Sequence, residues 1–242
     1  MRKSLLLISA LFFTTIVYSQ DGVTTFGITV KPVFPSEYFR TGPKVSFDND
    51  IQFTLTQNSG FSAGGTIRYG INKTLSIESG LSFVKRIYQL DIADSSAVIS
   101  TDFKVIGYEI PLQALVFIQL SKHIWMNVAL GPELSIFPSD IRTTGDHFVQ
   151  ETARQSQKNI LKGGMLANIG WEWRTPKSGY IYLGCSYHRS FSEVYTNYAG
   201  YLKTPRAKDV YAYSSTPLAG DYIAIDIRYY FHENPRPKKV KK

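Results

Sequence analysis

The sequence predicts an all-β protein, an eight-stranded antiparallel up-and-down transmembrane β-barrel. Three observations carry that expectation. Polar and apolar residues alternate with period two along eight segments. The connections between those segments are alternately long and short. Glycine and balanced charge gather on one face of the strands.

The first nineteen of the 242 residues have the make-up of a secretory signal peptide. Met1-Arg2-Lys3 is positive, Leu5 to Val17 is apolar and uncharged, and Val17-Tyr18-Ser19 offers a cleavage site before Gln20. No cysteine follows to carry a lipid anchor. The one cysteine, Cys185, also excludes an intrachain disulfide or a cysteine-rich zinc site. After Ser19 the longest uncharged apolar stretch is Ile110 to Ser121, interrupted by Pro111 and too short for a membrane helix. An exported chain of this kind crosses a membrane with strands or not at all.

The barrel is expected over 20–231, with strands near 24–34, 59–71, 74–88, 103–120, 123–137, 159–174, 179–190 and 221–231. Three connections are tight: Asn72-Lys73, Ser121-Lys122 and Thr175 to Ser178. The other four, 35–58, 89–102, 138–158 and 191–220, are long and read as loops. Outer-membrane barrels segregate short periplasmic turns from long extracellular loops in this way. Both chain ends are then periplasmic.

Strand faces agree. In the last strand Ile223, Ile225, Ile227, Tyr229 and Phe231 oppose Ala224, Asp226, Arg228 and Tyr230. In the third, Leu75, Ile77, Leu81 and Phe83 oppose Ser76, Glu78, Ser82 and Arg86. Lys31, Arg68, Arg86, Lys162 and Arg228 on the polar faces are matched by Glu78, Glu109, Glu133, Glu172 and Asp226. A confined interior needs that balance, because unpaired buried charge is costly. Trp171, Trp173, Tyr180, Tyr182, Tyr229 and Phe231 read as an interfacial aromatic girdle. Counting from the turns places Arg86, Glu109, Glu133 and Lys162 on consecutive strands at one level. A structural lumen network, Arg86–Glu109–Glu133–Lys162, is therefore expected, with the two carboxylates facing each other between the cations.

Lys and Arg number 27 against 19 Asp and Glu, but the excess sits at the two ends. Residues 232–242 carry Arg236, Lys238, Lys239, Lys241 and Lys242 against Glu233, a basic periplasmic tail. No folded basic face remains for nucleic acid. No phosphate loop and no metal-ligand spacing occur, so no cofactor, metal or catalytic residue is expected. The nearest approach to a catalytic set is His188 and Ser190 with Glu193, which resembles the arrangement in outer-membrane lipid A deacylases. Alternation turns His188 and Ser190 into the lumen, away from any acyl chain.

Tyr108-Glu109-Ile110-Pro111-Leu112 and the segment Asn127 to Ser135 (NVALGPELS), with a last strand ending on Phe231, resemble the PorT-like outer-membrane β-barrel family of Bacteroidetes, of the OmpX/OmpA-like eight-stranded type. The resemblance implies a cell outer membrane location. It further implies a non-enzymatic anchoring, binding or envelope-machinery role, with type IX secretion as one such setting. Its implied partners are outer-membrane lipid and envelope or secretion-system proteins, around a monomeric barrel. A lipid A deacylase-like enzyme is the alternative.

Overall fold

The computed structural model describes residues 22–35, 40–95, 97–145, 147–153, 160–175, 178–203 and 210–232. The leader expected over 1–19 lies outside them, as does the tail beyond His232. Thirteen strands form and, among the described residues, no helix.

Eight strands close a ring: β1 (Thr24–Phe34), β3 (Ile51–Gly70), β4 (Leu75–Ala93), β5 (Val98–Gln119), β6 (Ile124–Ile136), β9 (Leu161–Thr175), β10 (Gly179–Ser190) and β13 (Tyr222–Tyr230). Each pairs antiparallel with its neighbours, and β1 closes the ring by pairing with both β3 and β13. At the short-turn end Asn72 forms the β3–β4 turn, its side-chain oxygen accepting from the backbone N–H of Thr74 and Leu75 at 2.9 and 2.8 Å. The β9–β10 turn ends on Gly179, whose φ of 87° suits glycine.

The outward side chains of the ring are apolar. Ile28, Leu81, Leu130, Ile169, Leu183 and Ile227 all stand exposed around the wall. The ten expected inward charges are all buried, none more than 5 % exposed. A soluble barrel would carry the opposite pattern, so the outer wall of this one faces lipid. Trp171, Trp173 and Phe231 lie outward near the short-turn end, as a girdle requires. Tyr182 does not. It follows the inward parity of β10, is buried, and sets its hydroxyl over Gly170 and Gly184. Tyr180 shares that parity and stacks near Arg174. Tyr182 fills lumen that the paired glycines Gly170 and Gly184 leave free.

Among the described residues the four long connections are largely strand rather than loop. β3, β4 and β5 continue past the lipid-facing wall, and five further strands follow: β2 (Lys44–Asp48), β7 (Ile141–Thr144), β8 (Phe148–Ala153), β11 (Tyr195–Lys203) and β12 (Val210–Leu218). β2 extends the ring sheet along β3, while β12-β11-β8-β7 forms a separate four-stranded sheet. Face polarity inverts at one level. Outward residues of β5 change from Asp102 and Lys104 to Ile106 and Tyr108. On β3 a bulge between Asn58 and Phe61 shifts the parity at the same level, where Phe61 pairs with Lys85 and Lys85 with Ile106. Beyond it the apolar residues point inward. Ile51, Phe53, Leu55, Tyr88, Leu90, Ile92, Phe103 and Val105 form one buried core with Tyr195, Ala199, Tyr201, Ala212 and Leu218 of the separate sheet. Polarity reverses because the solvent outside changes from lipid to water. The second sheet thus caps the long-loop mouth of the barrel.

Gly131 on β6 marks the tightest approach in the wall. A Cβ there would stand 1.9 Å from the Leu112 carbonyl oxygen and 2.7 Å from the Gln113 Cα. Gly131→Ala is therefore expected to destabilise the barrel by about 1–3 kcal/mol in denaturant titrations in detergent. A change within error would show that this wall yields freely.

Candidate functional site

The lumen holds two polar systems. Nearer the short-turn end, seven charges alternate in sign along one chain: Lys31, Asp226, Arg228, Glu78, Arg68, Glu172 and Arg174. Lys31 Nζ lies 3.5 Å from Asp226. Arg228 bonds both Asp226 and Glu78. Arg68 donates to Glu78 at 2.9 Å and to Glu172 at 2.6 Å. Arg174 closes the chain on Glu172 at 2.6 Å. Tyr230 lies under the Arg68 guanidinium at 3.9 Å and donates to Glu78 at 2.7 Å. Ser186 donates to Asp226 at 2.7 Å. Such a chain offsets desolvation because each charge has hydrogen-bonded partners of opposite sign.

Nearer the long-loop end lies the second system, where the expected network Arg86–Glu109–Glu133–Lys162 belongs. All four residues are buried and face inward. Arg86 donates to Glu109 at 2.7 Å. The remainder of the expected chain differs. Glu109 pairs in register with Ser135, and Glu133 with Pro111, so the two carboxylates sit two residues apart rather than opposite. The physical reason is register: Leu120 and Ser121 both donate to the Ile124 carbonyl, so the turn is 121–123, one residue longer than Ser121-Lys122, and Glu109 falls opposite Ser135. Lys162 pairs with Ser135, and among the described residues no ion pair joins it to Glu133.

Glu133 instead meets His188, whose Nε2 lies 2.8 Å from Oε1. His188 Nδ1 is bonded to the Gly220 carbonyl at 2.9 Å, and the ring stacks on Tyr222 at 4.8 Å. Tyr222 donates to Glu109 at 2.6 Å. Glu109, Glu133 and His188 thus bring one ligand-capable atom each within 4.8 Å of the others. The sequence expectation of no metal-ligand grouping missed this cluster, because β5, β6 and β10 supply one residue each and only their registers bring them together. His188 and Ser190 do not form a nucleophile–base pair. The Ser190 hydroxyl donates to the Ser192 carbonyl at 2.7 Å, and both residues are buried inside the wall.

The outer sheet offers the exposed surface. Tyr198, Tyr211, Tyr213 and Val149 point away from the core. Gly200 pairs with Tyr213 on one side and Val149 on the other. The β12 edge is not free, since it is capped by side chains of the β2 region: Asn49 donates to the Tyr211 carbonyl at 2.7 Å, Asp48 accepts from the Tyr213 N–H at 2.8 Å, and Lys44 reaches the Pro217 carbonyl at 2.5 Å. Burial there pushes the Lys44 ammonium below its usual range, against the attraction of Glu193. Burial and a 2.8 Å bond to Asp94 push the Tyr201 hydroxyl up.

A closed ring, an apolar wall and a charge-filled lumen decide the class. The chain has the fold of an outer-membrane β-barrel. Its seat is the cell outer membrane, where such a wall meets lipid. No protein-family model and no curated protein sequence matches it. Among solved structures it is similar to the outer membrane protein OprG from Pseudomonas aeruginosa, with a TM-score of 0.51 at 11 % identity, covering 89 % of this chain and 98 % of that one. The outer membrane protease OmpT from Escherichia coli matches with a TM-score of 0.33 at 15 % identity over 90 % and 97 % of the two chains. The β domain of the Bordetella autotransporter BrkA matches at 0.34 and 10 % over 87 % and 98 %. These likenesses concern the fold. One expectation is corrected: the matched outer-membrane proteins include a protease, so the expectation that the chain is not an enzyme does not stand.

Proposed function

We propose that this outer-membrane barrel holds a folded β-sheet at the cell surface as a docking platform for a protein partner of the envelope. The supporting observation is that the lumen is packed with paired charges and its mouth is capped, while the cap displays Tyr198, Tyr211 and Tyr213. Eight strands leave room for side chains but not for a pore. Exposed tyrosines on a rigid sheet supply large contact area at low entropic cost, as protein interfaces favour. The short turns are the periplasmic ends and the capping sheet is extracellular.

The resemblance carried by Tyr108 to Leu112 and Asn127 to Ser135 supports placing the chain with the PorT-like barrels of Bacteroidetes. On that reading the partner is an envelope assembly, and type IX secretion is the setting to examine first. The test is co-purification from detergent-solubilised outer membranes. A partner retained by the native barrel should be lost when Tyr198, Tyr211 and Tyr213 are all replaced by Ser, with heat-modifiable gel migration unchanged. Equal recovery by the two barrels would contradict the platform.

A further inference from the structure

We infer that Glu109, Glu133 and His188 form a binding site for a divalent transition-metal ion of the zinc type, tying β5, β6 and β10 together inside the wall. Their ligand-capable atoms lie within 4.8 Å of one another, and all three residues are nine-tenths or more buried. Zinc bound by carboxylate oxygen and imidazole nitrogen at about 2.0–2.2 Å needs its ligand atoms roughly 3.4 Å apart, which small side-chain rotations provide here.

The state of each ligand follows from its partners. The Gly220 carbonyl can only accept, so His188 Nδ1 carries a proton and donates; a metal would take the Nε2 position in place of any proton shared there with Glu133. A backbone carbonyl behind a histidine is the usual support of a metal-bound imidazole. Nε2 stands 2.8 Å from Glu133 Oε1, yet the contact lacks hydrogen-bond alignment, and Nε2 has no hydrogen-bond partner among the described residues. The second Glu133 oxygen, Oε2, is likewise buried and unpartnered. These two buried atoms are aimed into one cluster with Glu109, where a bound cation would satisfy both. Glu109 is held in place by Arg86 and by the Tyr222 hydroxyl, and its oxygens retain lone pairs beyond those two bonds. On β9, between the strands of Glu133 and His188, a Cβ on Gly164 would stand 3.1 Å from Nε2, so glycine keeps that side open.

The donor set selects the ion. Two carboxylates and one imidazole without thiolate suit zinc or cobalt, whereas calcium requires six or more oxygens. Three protein ligands leave one position for water.

The test is metal content. The full barrel, refolded into detergent micelles with zinc and then desalted, should carry about one zinc per chain by elemental analysis, and cobalt should give the visible absorption of a low-coordinate site. His188→Gln and Glu133→Gln should each lose the metal and the cobalt absorption. Tyr222→Phe, which frees Glu109 from one support, should weaken zinc binding roughly tenfold. Heat-modifiable migration reports folding of each variant. If His188→Gln does not fold, Glu133→Gln and the native cobalt spectrum decide. A native barrel that folds without retaining zinc, or a folded variant that keeps as much as the native protein, overturns the site.

Discussion

Arg228→Met should cost the barrel roughly 3–5 kcal/mol, the range for removing one member of a buried ion network. Arg228 bonds Asp226 and Glu78 at once. Its loss leaves Asp226 with Lys31 at 3.5 Å and with Ser186 and Thr29, and leaves Glu78 with Arg68 and Tyr230. Those supports cannot replace a guanidinium that spans both carboxylates. Urea unfolding in detergent micelles, read by tryptophan fluorescence, measures the loss. Arg228→Lys should recover only part of it, since an ammonium lacks the fork that serves two acceptors. Native-like stability in Arg228→Met would mean that the lumen is hydrated and that the alternating chain contributes little.

Phe53→Ala tests the other half of the molecule. Phe53 is buried where β3 extends beyond the lipid-facing wall and packs in the core beneath the capping sheet. Truncation should cost roughly 3–5 kcal/mol in that core. The loss should be local, because the ring below is held by its own ladder and by the ion chain. Limited proteolysis should therefore cut within 191–220 far sooner than in the native protein, while the ring keeps its heat-modifiable migration. Simultaneous loss of both would show that the cap and the ring fold as one unit.

Much of the ring is legible in the sequence, for a physical reason. Lipid outside and a charged lumen inside demand strict alternation, and Ile223 to Phe231 display it without interruption. The capping sheet obeys no such rule. Above the level of Lys85 the outside is water and the inside apolar, so the faces exchange roles along β4, from Leu81 outward to Leu90 inward. On β3 the bulge at Asn58 and Phe61 breaks the period at the same place, so the alternation of Ile51, Phe53 and Leu55 runs out of phase with the rest of the strand. β11 and β12 carry Asn197, Gly200, Ser214, Ser215 and Pro217, which imitate loop composition although each sits in a ladder.

The lumen site shows the same limit. Inward parity identifies Arg86, Glu109, Glu133 and Lys162, but pairing depends on register, and with the turn at 121–123 Glu109 and Glu133 lie two residues apart. His188 joins Glu133 because β9 and β10 pair Gly164 with Ser190 and Leu166 with His188, which no local motif encodes. Tyr182 likewise reads as a girdle residue by type and position, and only its parity on β10 turns it inward.

The most direct measurement of the central claim is labelling of intact cells with a membrane-impermeant maleimide. In a Cys185→Ser background, one barrel carries Tyr213→Cys on the exposed face of the capping sheet and another carries Lys122→Cys in the β5–β6 turn. Tyr213→Cys should be labelled in intact cells and Lys122→Cys only after the outer membrane is permeabilised. Labelling of Lys122→Cys in intact cells with Tyr213→Cys protected would place the capping sheet in the periplasm and overturn the docking platform at the cell surface.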